Sequence, residues 1–491
     1  MPASFAMLMY AFMGLPLLAI LVFNLLGKKI VDKVCLPIGG IVGLVQVVVS
    51  VIAMSLLVYY NKEVINFSQF WDMTASENAA YLSGDMFSLV ALFCVGMVIA
   101  VSFLTAKSMV RDKHFMFTNM LLILMLGMNG IALVTDLFSL YVFLEVTGVA
   151  SFVLIALYRE VAGLEGAFKY LLMSCVASAL IVGGLAFFFM NFGSLQYSVI
   201  AEMAQNMESV QNPVLVTVGM IMLVAGFSIK AGIVPFHAWL PDAYQSAPAP
   251  ISIALGGIVT KMAGVYAIIR LLGFLFTEHS VVNTAFTILA LFSIIMGAVA
   301  AIGQKDFKRV LAYSSISQIG YIVLGVACGN VIGFVGAVLH FFNHATFKSA
   351  LFVTSSAVEK QTGTTDITKL GGLQKQMPLT STANVIAFLS AAGIPPLAGF
   401  WSKLLIIIAA WQAAGPFVAG LALFASIFTA AYFLRLQRNV FFGPVEEHLT
   451  DITEAKGGFK FASIILTAVT VVFGILFPVL LNFLHAQGWL L

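Results

Sequence analysis

Charge is what this sequence has least of. Only 9% of its 491 residues are Asp, Glu, Lys or Arg, against about 25% in ordinary soluble domains. With 61% apolar residues and a mean hydropathy of +1.05, that scarcity excludes a water-soluble globular chain. The net charge of +3 is too small for a nucleic-acid-binding surface, and no basic run lies outside the connecting segments. Cysteine is also sparse. Cys35, Cys94, Cys175 and Cys328 are spread through apolar stretches without CxxC spacing, which reads as small core residues rather than metal ligands or disulfides. The motifs of bond chemistry are missing too: no Walker A loop, GxGxxG turn or HExxH, and no histidine spacing suited to haem. No catalytic, cofactor or metal site is therefore expected, and whether the chain serves an enzyme complex stays open. The N-terminal MPASFAMLMYAFMG has no positive n-region and reads as a membrane helix, not a cleaved signal.

What is present is long apolar runs. At about 20 residues per span, fourteen helices are expected. The first seven lie near 5–26, 34–60, 83–105, 115–134, 136–158, 163–192 and 212–232. The rest lie near 246–271, 282–303, 306–327, 329–356, 382–411, 416–440 and 460–484. The class is an all-α polytopic membrane protein in a lipid bilayer, with no separate soluble domain. Eighteen of the 24 basic residues fall in odd-numbered connections, among them Lys28, Arg111, Arg159, Lys305, Lys308, Arg309 and Arg435, and even-numbered connections or helix ends hold Lys62 and Arg270. By the positive-inside rule the odd connections are cytoplasmic and both termini face outward. The run Lys305–Arg309 reads as a solvated anchor, and Trp71, Tyr158, Trp239 and Trp489 as an interfacial belt.

Four lysines remain inside predicted helices, Lys230, Lys261, Lys348 and Lys403, and one acid, Glu145, lies equally deep. A lysine at bilayer depth costs roughly 2.5–3.5 kcal/mol, so it normally faces a polar interior and has a role. The stretch 225–264 holds Lys230 and Lys261 with Pro235, Pro241, Pro248 and Pro250 between them. Proline frees backbone carbonyls, which is tolerated at that depth only beside protein or a water-filled cavity. Buried cations beside broken helices are a recurring pattern of ion and proton pathways. Glu145 is the natural partner for one lysine, as a breakable proton-loading pair or as a permanent structural bridge. For Lys230, near a helix end, snorkelling to the interface is the competing reading.

In VLHFFNHATFKSALF, His340, His344 and Lys348 recur every four residues and share one helix face. Histidine titrates near neutrality and suits a relay; packing between helices is the alternative, and no neighbouring acid or cysteine completes a metal site. His237 and Asp242 in PFHAWLPDA form either a proton entry or a loop brace. Gly232-Ile-Val-Pro235 recurs as Gly393-Ile-Pro-Pro396 five helices later, the offset an inverted repeat requires.

The run Lys230–Ala243 (KAGIVPFHAWLPDA) resembles the signature of the antiporter-like subunits of respiratory complex I, Mrp cation/proton antiporters and membrane-bound hydrogenases. So do DFKRVLAYSSISQIG from Asp306, HATFKSAL from His344 and GIPPLAGFWSK from Gly393 to Lys403. The resemblance covers roughly helices 3 to 13. It implies a single membrane domain over 1–491. Helices 1–3 lie in 1–110, inverted five-helix repeats (helices 4–8 and 9–13) in 115–271 and 282–440, and helix 14 in 460–491, with helices 7 and 12 broken. It implies proton transfer through Lys230, Lys261, His344 (with His340 and Lys348) and Lys403, with Glu145–Lys230 as the electrostatic switch. The expected partners are other membrane subunits, protons and Na+, and the expected place is the plasma (inner) membrane.

The length and Lys403 are most similar to the D-type subunits of Mrp antiporters, because one complex I subunit usually carries glutamate at the Lys403 position. Proton-pumping subunits of complex I-like oxidoreductases or of hydrogenase/formate hydrogenlyase complexes are the alternative. Two other classes make different predictions. A redox subunit would show quinone or metal constellations, which are not found, and an autonomous transporter would act when purified alone.

Overall fold

The computed structural model describes residues 3–26, 28–60, 64–66, 82–205, 212–275 and 280–486. Six long helices come first: α1 (Ala3–Leu25), α2 (Lys28–Tyr59), α3 (Met86–Met109), α4 (His114–Leu133), α5 (Leu137–Ile155) and α6 (Val161–Phe192). A short antiparallel pair, β1 (Val64–Asn66) and β2 (Ser83–Asp85), precedes α3. Then follow α7 (Tyr197–Gln205), α8 (Pro213–Ala231), α9 (Trp239–Ser246), α10 (Ala249–Ala254) and α11 (Tyr266–Arg270). The chain continues through α12 (Ser280–Gly303), α13 (Phe307–Ala327), α14 (Val331–Thr362), α15 (Pro378–Ala392), α16 (Ala398–Ala414), α17 (Pro416–Val440) and α18 (Gly458–Ala486).

Helices occupy all fourteen expected positions. Among the described residues twelve helical segments are long and apolar enough to cross a membrane. The thirteenth is α14, equally long but too polar to rank with them, and buried along most of its length. The fourteenth is the pair α15 and α16, the expected broken helix 12. Helix 7 is broken likewise into α8 and α9.

Both breaks have one cause. Gly232 (φ +68°) and Gly393 (φ +85°) adopt the left-handed conformation that a side chain resists, and a cis proline follows each, at Val234–Pro235 and Pro395–Pro396. The eighth span, 249–273, is interrupted differently. Between and after α10 and α11 it winds into π-helical turns at Leu255–Val259, Lys261–Val265 and Leu271–Leu275, a geometry frequent at functional sites. Helix starts are set by short polar caps. Asp136, Asp306 and Asn330 accept from the backbone N–H three residues on, at 2.7, 2.9 and 2.8 Å.

The chain divides into two compact units. The first comprises Met1–Phe103, Val110–Ala231 and Ile258–Glu278, where α4 packs on α1, α2 and α5, α6 on α5 and α8, and α8 on the π turn at Lys261. The second comprises Leu104–Met109, Gly232–Gly257 and His279–Leu491, where α13 packs on α9, α12 and α14, and α14 on α10, α15, α16 and α18.

Several readings are corrected. The third helix starts at Met86, because β2 takes up Ser83–Asp85, and the connection after α6 holds the short helix α7. Trp239 is fully buried rather than interfacial; Tyr158 lies under Lys113 and accepts from the Arg111 N–H at 2.9 Å, while Lys62, Trp71 and Trp489 lie outside the described residues. Cys35 and Cys94 are core residues, but Cys175 is exposed and Cys328 partly so. Lys308 is buried, so the Lys305–Arg309 run is no simple solvated anchor.

Candidate functional site

In the first unit the last turn of α8 carries Lys230. Its ammonium donates to Glu145 Oε1 on α5 at 2.8 Å and to Ser174 Oγ on α6 at 3.0 Å. Ser178, one turn further along α6, donates to the same carboxylate oxygen at 2.6 Å. The lysine side chain is 3% exposed and the glutamate 34%, so Lys230 turns inward to its partner and does not snorkel. Lys261 begins the second π turn of the eighth span and is wholly buried. Gly264, in the same turn, lies so close to α8 that a Cβ there would meet the Ala231 backbone nitrogen at 2.2 Å. The segments bearing Lys230 and Lys261 are thus in direct backbone contact.

In the second unit α14 presents His340, His344 and Lys348, all fully buried. The two imidazoles lie 6.4 Å apart at 20°, as the four-residue spacing requires. His340 Nδ1 meets Ser402 Oγ at 2.9 Å and Nε2 meets Gln318 Oε1 at 3.1 Å. In a neutral ring the proton sits on Nε2, facing the amide oxygen, and Nδ1 accepts from the serine. One residue beyond Ser402, Lys403 donates to the Ala391 carbonyl at 2.8 Å and lies 4.4 Å above the Tyr321 ring. That carbonyl is exposed to a donor because α15 ends at the Gly393 break. Lys348 donates to the Leu311 carbonyl at 2.8 Å and to Ser314 Oγ.

His237 and Asp242 do not share one site. His237 lies in the turn between α8 and α9, edge-on to Tyr313 at 6.3 Å. Asp242, in α9, is bound by Arg309 of α13 at 2.6 Å, and Arg309 also donates to Gln245 at 3.0 Å. Lys308 pairs with Glu359 at 2.8 Å. Among the described residues no three His, Cys, Asp or Glu side chains converge as metal ligands.

The two sets therefore gather ionisable side chains, held by hydroxyls and free carbonyls, on continuous helices (α5, α6, α14) and beside the breaks that follow α8 and α15. Residues 134–429 match the family described as "NADH:quinone oxidoreductase/Mrp antiporter, TM". The chain belongs to that family. It is 34% identical over 395 residues to the D-type subunit of the Na+/H+ antiporter of Alkalihalophilus pseudofirmus, covering 80% of this chain and 78% of that one. It is likewise 34% identical over 364 residues to the N-type subunit of the NADH-quinone oxidoreductase of Desulforudis audaxviator, covering 73% and 71%. Its fold matches a chain in the structure of the Mrp complex from Dietzia sp. DQ12-45-1b with a TM-score of 0.87, 24% identity and coverage of 100% and 97%. The family match spans α5 to α17, and with them every charged or imidazole side chain named above for the two sets.

Sequence reasoning missed Ser174, Ser178, Gln318, Ser314 and Ser402, because small polar residues inside membrane helices carry no pattern of their own. Arg270 lies near the end of its span, as expected, but its burial against Asp85 was not foreseen.

Proposed function

We propose that this chain is a proton-translocating, antiporter-like subunit of a multi-subunit complex in the plasma membrane. Glu145 and Lys230 form its switch, and Lys261, His340, His344, Lys348 and Lys403 are its relay groups. The observation that carries the reading is the 2.8 Å Glu145–Lys230 pair on two membrane-spanning helices. The pair holds a proton on Lys230 while it is closed. When the carboxylate moves away or is neutralised, a desolvated ammonium loses the charge that stabilised it and gives up its proton. The hydroxyls of Ser174 and Ser178 let the pair open without leaving either group bare. In the second set, His340 bonds to two neutral side chains and Lys403 to a carbonyl, so loss of a proton from either leaves no carboxylate stripped of its cation.

Partner subunits fit the exposure of Glu145. About a third of a carboxylate side chain open at bilayer depth is costly against lipid, and a neighbouring membrane subunit removes that cost. An Mrp-type Na+/H+ antiporter is the favoured complex, supported by Lys403 and by the likeness to the D-type antiporter chain. The likeness to the N-type oxidoreductase chain supports a complex I-like or hydrogenase-linked proton pump as the second reading. We assign the two repeats to 115–271 and 282–440, from the recurrence of the Gly232–Pro235 motif at Gly393–Pro396 and the family resemblance, and both termini to the outer side, from the positive-inside charge distribution. His237 lies beside the break in helix 7 and stands as a candidate entry group; the Arg309 pair makes Asp242 a brace of α9.

The test is ΔpH-linked proton movement in vesicles holding the native complex with Lys230→Ala or Glu145→Ala, with assembly verified. Loss of transport in an intact complex is expected. Normal transport in both variants overturns the switch.

A further inference from the structure

Beyond Lys261, at the other end of the same span, lies a second buried ion pair. Arg270 binds Asp85 with both forks of its guanidinium, Nη1 to Oδ2 at 2.5 Å and Nη2 to Oδ1 at 2.8 Å. Nη2 also meets Ser88 Oγ at 2.7 Å, and Nε meets Tyr266 Oη at 3.0 Å. Tyr266 in turn donates to the Ala132 carbonyl of α4 at 3.0 Å. The Phe87 and Tyr266 rings stack at 4.7 Å, and the guanidinium carbon lies 5.3 and 5.1 Å from their centres. Thus α3, α4 and α11 are tied at one point, nine residues past Lys261 or roughly 14 Å along a helix.

We infer that the Arg270–Asp85–Tyr266 cluster is a proton-inert seal, closing the end of the first unit past Lys261. The inference rests on the lysine route proposed above. A relay group must take up and release a proton near neutral pH, and this cluster offers none. Arginine stays charged in proteins. For Asp85, just ahead of its span, burial alone favours the protonated form, but the Arg270 charge and hydrogen bonds outweigh it and hold the carboxyl below the usual range. The Tyr266 hydroxyl proton is already committed to a backbone carbonyl. Each guanidinium nitrogen has a partner inside the cluster, on Asp85, Ser88 or Tyr266.

The charge itself has a use. A well-packed apolar plug would close the gap as well, often with greater stability. The guanidinium is the deeper member of the pair, 11% exposed against 21% for the carboxylate. A fixed positive charge in the span that carries the buried lysine opposes the outward passage of a second positive charge, as a fixed arginine does in proton-excluding pores.

The experiment is passive decay of an imposed ΔpH in proteoliposomes of the assembled complex, without its driving ion or substrate. Arg270→Gln is expected to speed the decay about tenfold, a barrier lower by about 1.4 kcal/mol. Adding Lys261→Ala to that variant should return the decay to the wild-type rate. A wild-type rate in assembled Arg270→Gln overturns the seal; so does a leak that Lys261→Ala leaves unchanged, because the gap would then lie off the lysine route. If Arg270→Gln does not assemble, Tyr266→Phe keeps the ring stack and removes only the hydroxyl. A leak in that variant supports the seal, and its absence overturns it. Failure of the lysine route would instead show as normal driven transport in Lys230→Ala, so the two results are read separately.

Discussion

Gly264 offers the sharpest test of how closely the two lysine segments of the first unit must fit. A methyl group there would lie 2.2 Å from the Ala231 nitrogen and 2.5 Å from its Cα, both backbone atoms, whereas ordinary contact begins at 3.4 Å. Gly264→Ala therefore forces the eighth span and α8 apart by about 1.2 Å, the difference between those two distances. Overpacking of this kind costs about 1–3 kcal/mol, too little to unfold a chain held by so many helix contacts. The functional cost is larger. Lys230 sits next to Ala231, and its 2.8 Å bond to Glu145 leaves the hydrogen-bonding range if it lengthens by a few tenths of an ångström. Misplacements of about 1 Å at reacting groups cost as much as 100-fold. Initial rates of driven proton movement, normalised to assembled complex, should fall at least tenfold. Gly420→Ala is the control, since nothing lies within 4 Å of its new methyl and alanine favours the helix by up to about 1 kcal/mol. Wild-type transport in assembled Gly264→Ala would refute the claim that this contact sets the geometry of the pair.

Other expectations follow from the same geometry. Arg309→Ala leaves Asp242 without its 2.6 Å partner and should destabilise the chain by about 1–3 kcal/mol, read as a lower unfolding midpoint in detergent; an unchanged midpoint would deny that the pair braces α9. Ser402→Ala removes a hydrogen-bond partner from both His340 and Asn343 and should slow transport with Lys403 still in place, so a normal rate would exclude His340 from the route. Asp85 is held below its ordinary value, so its contribution to stability is present above the unfolded-state pKa of about 3.9 and is lost as pH falls through the lower folded value. Asp85→Asn should therefore be less stable than the parent at neutral and mildly acidic pH. The gap should close only below about pH 4; a gap closing between pH 5 and 7 would contradict the assigned charge state.

The parts legible in the sequence are those where charge or proline breaks an apolar background. Glu145, Lys230, Lys261, Lys348 and Lys403 stand out because so few ionisable groups share their depth, and the two Gly–Pro stretches mark the breaks in helices 7 and 12. His340, His344 and Lys348 were readable from spacing alone, since a helix places every fourth residue on one face. The neighbours that tune these groups were not readable. Ser174 and Ser178 look like any small residue that lets helices approach. Arg270 and Asp85 are 185 residues apart, each at the end of an apolar run, where a charge ordinarily marks the interface. Lys308 and Trp239 were misread for the same reason: position near a span end suggests water, but packing of α9 and α14 against α13 covers both. The π turns around Lys261 leave no mark in an apolar stretch that has no polar face.

The central claim is that the Glu145–Lys230 pair opens and closes as protons pass, and infrared difference spectroscopy of the energised against the resting complex tests it most directly. Bands assigned to Glu145 by their absence in Glu145→Gln should change during turnover, as the carboxylate loses and regains its lysine, and Lys230→Ala should abolish that change. If the Glu145 bands stay constant while protons move, the pair is a fixed structural bridge and the switch is wrong.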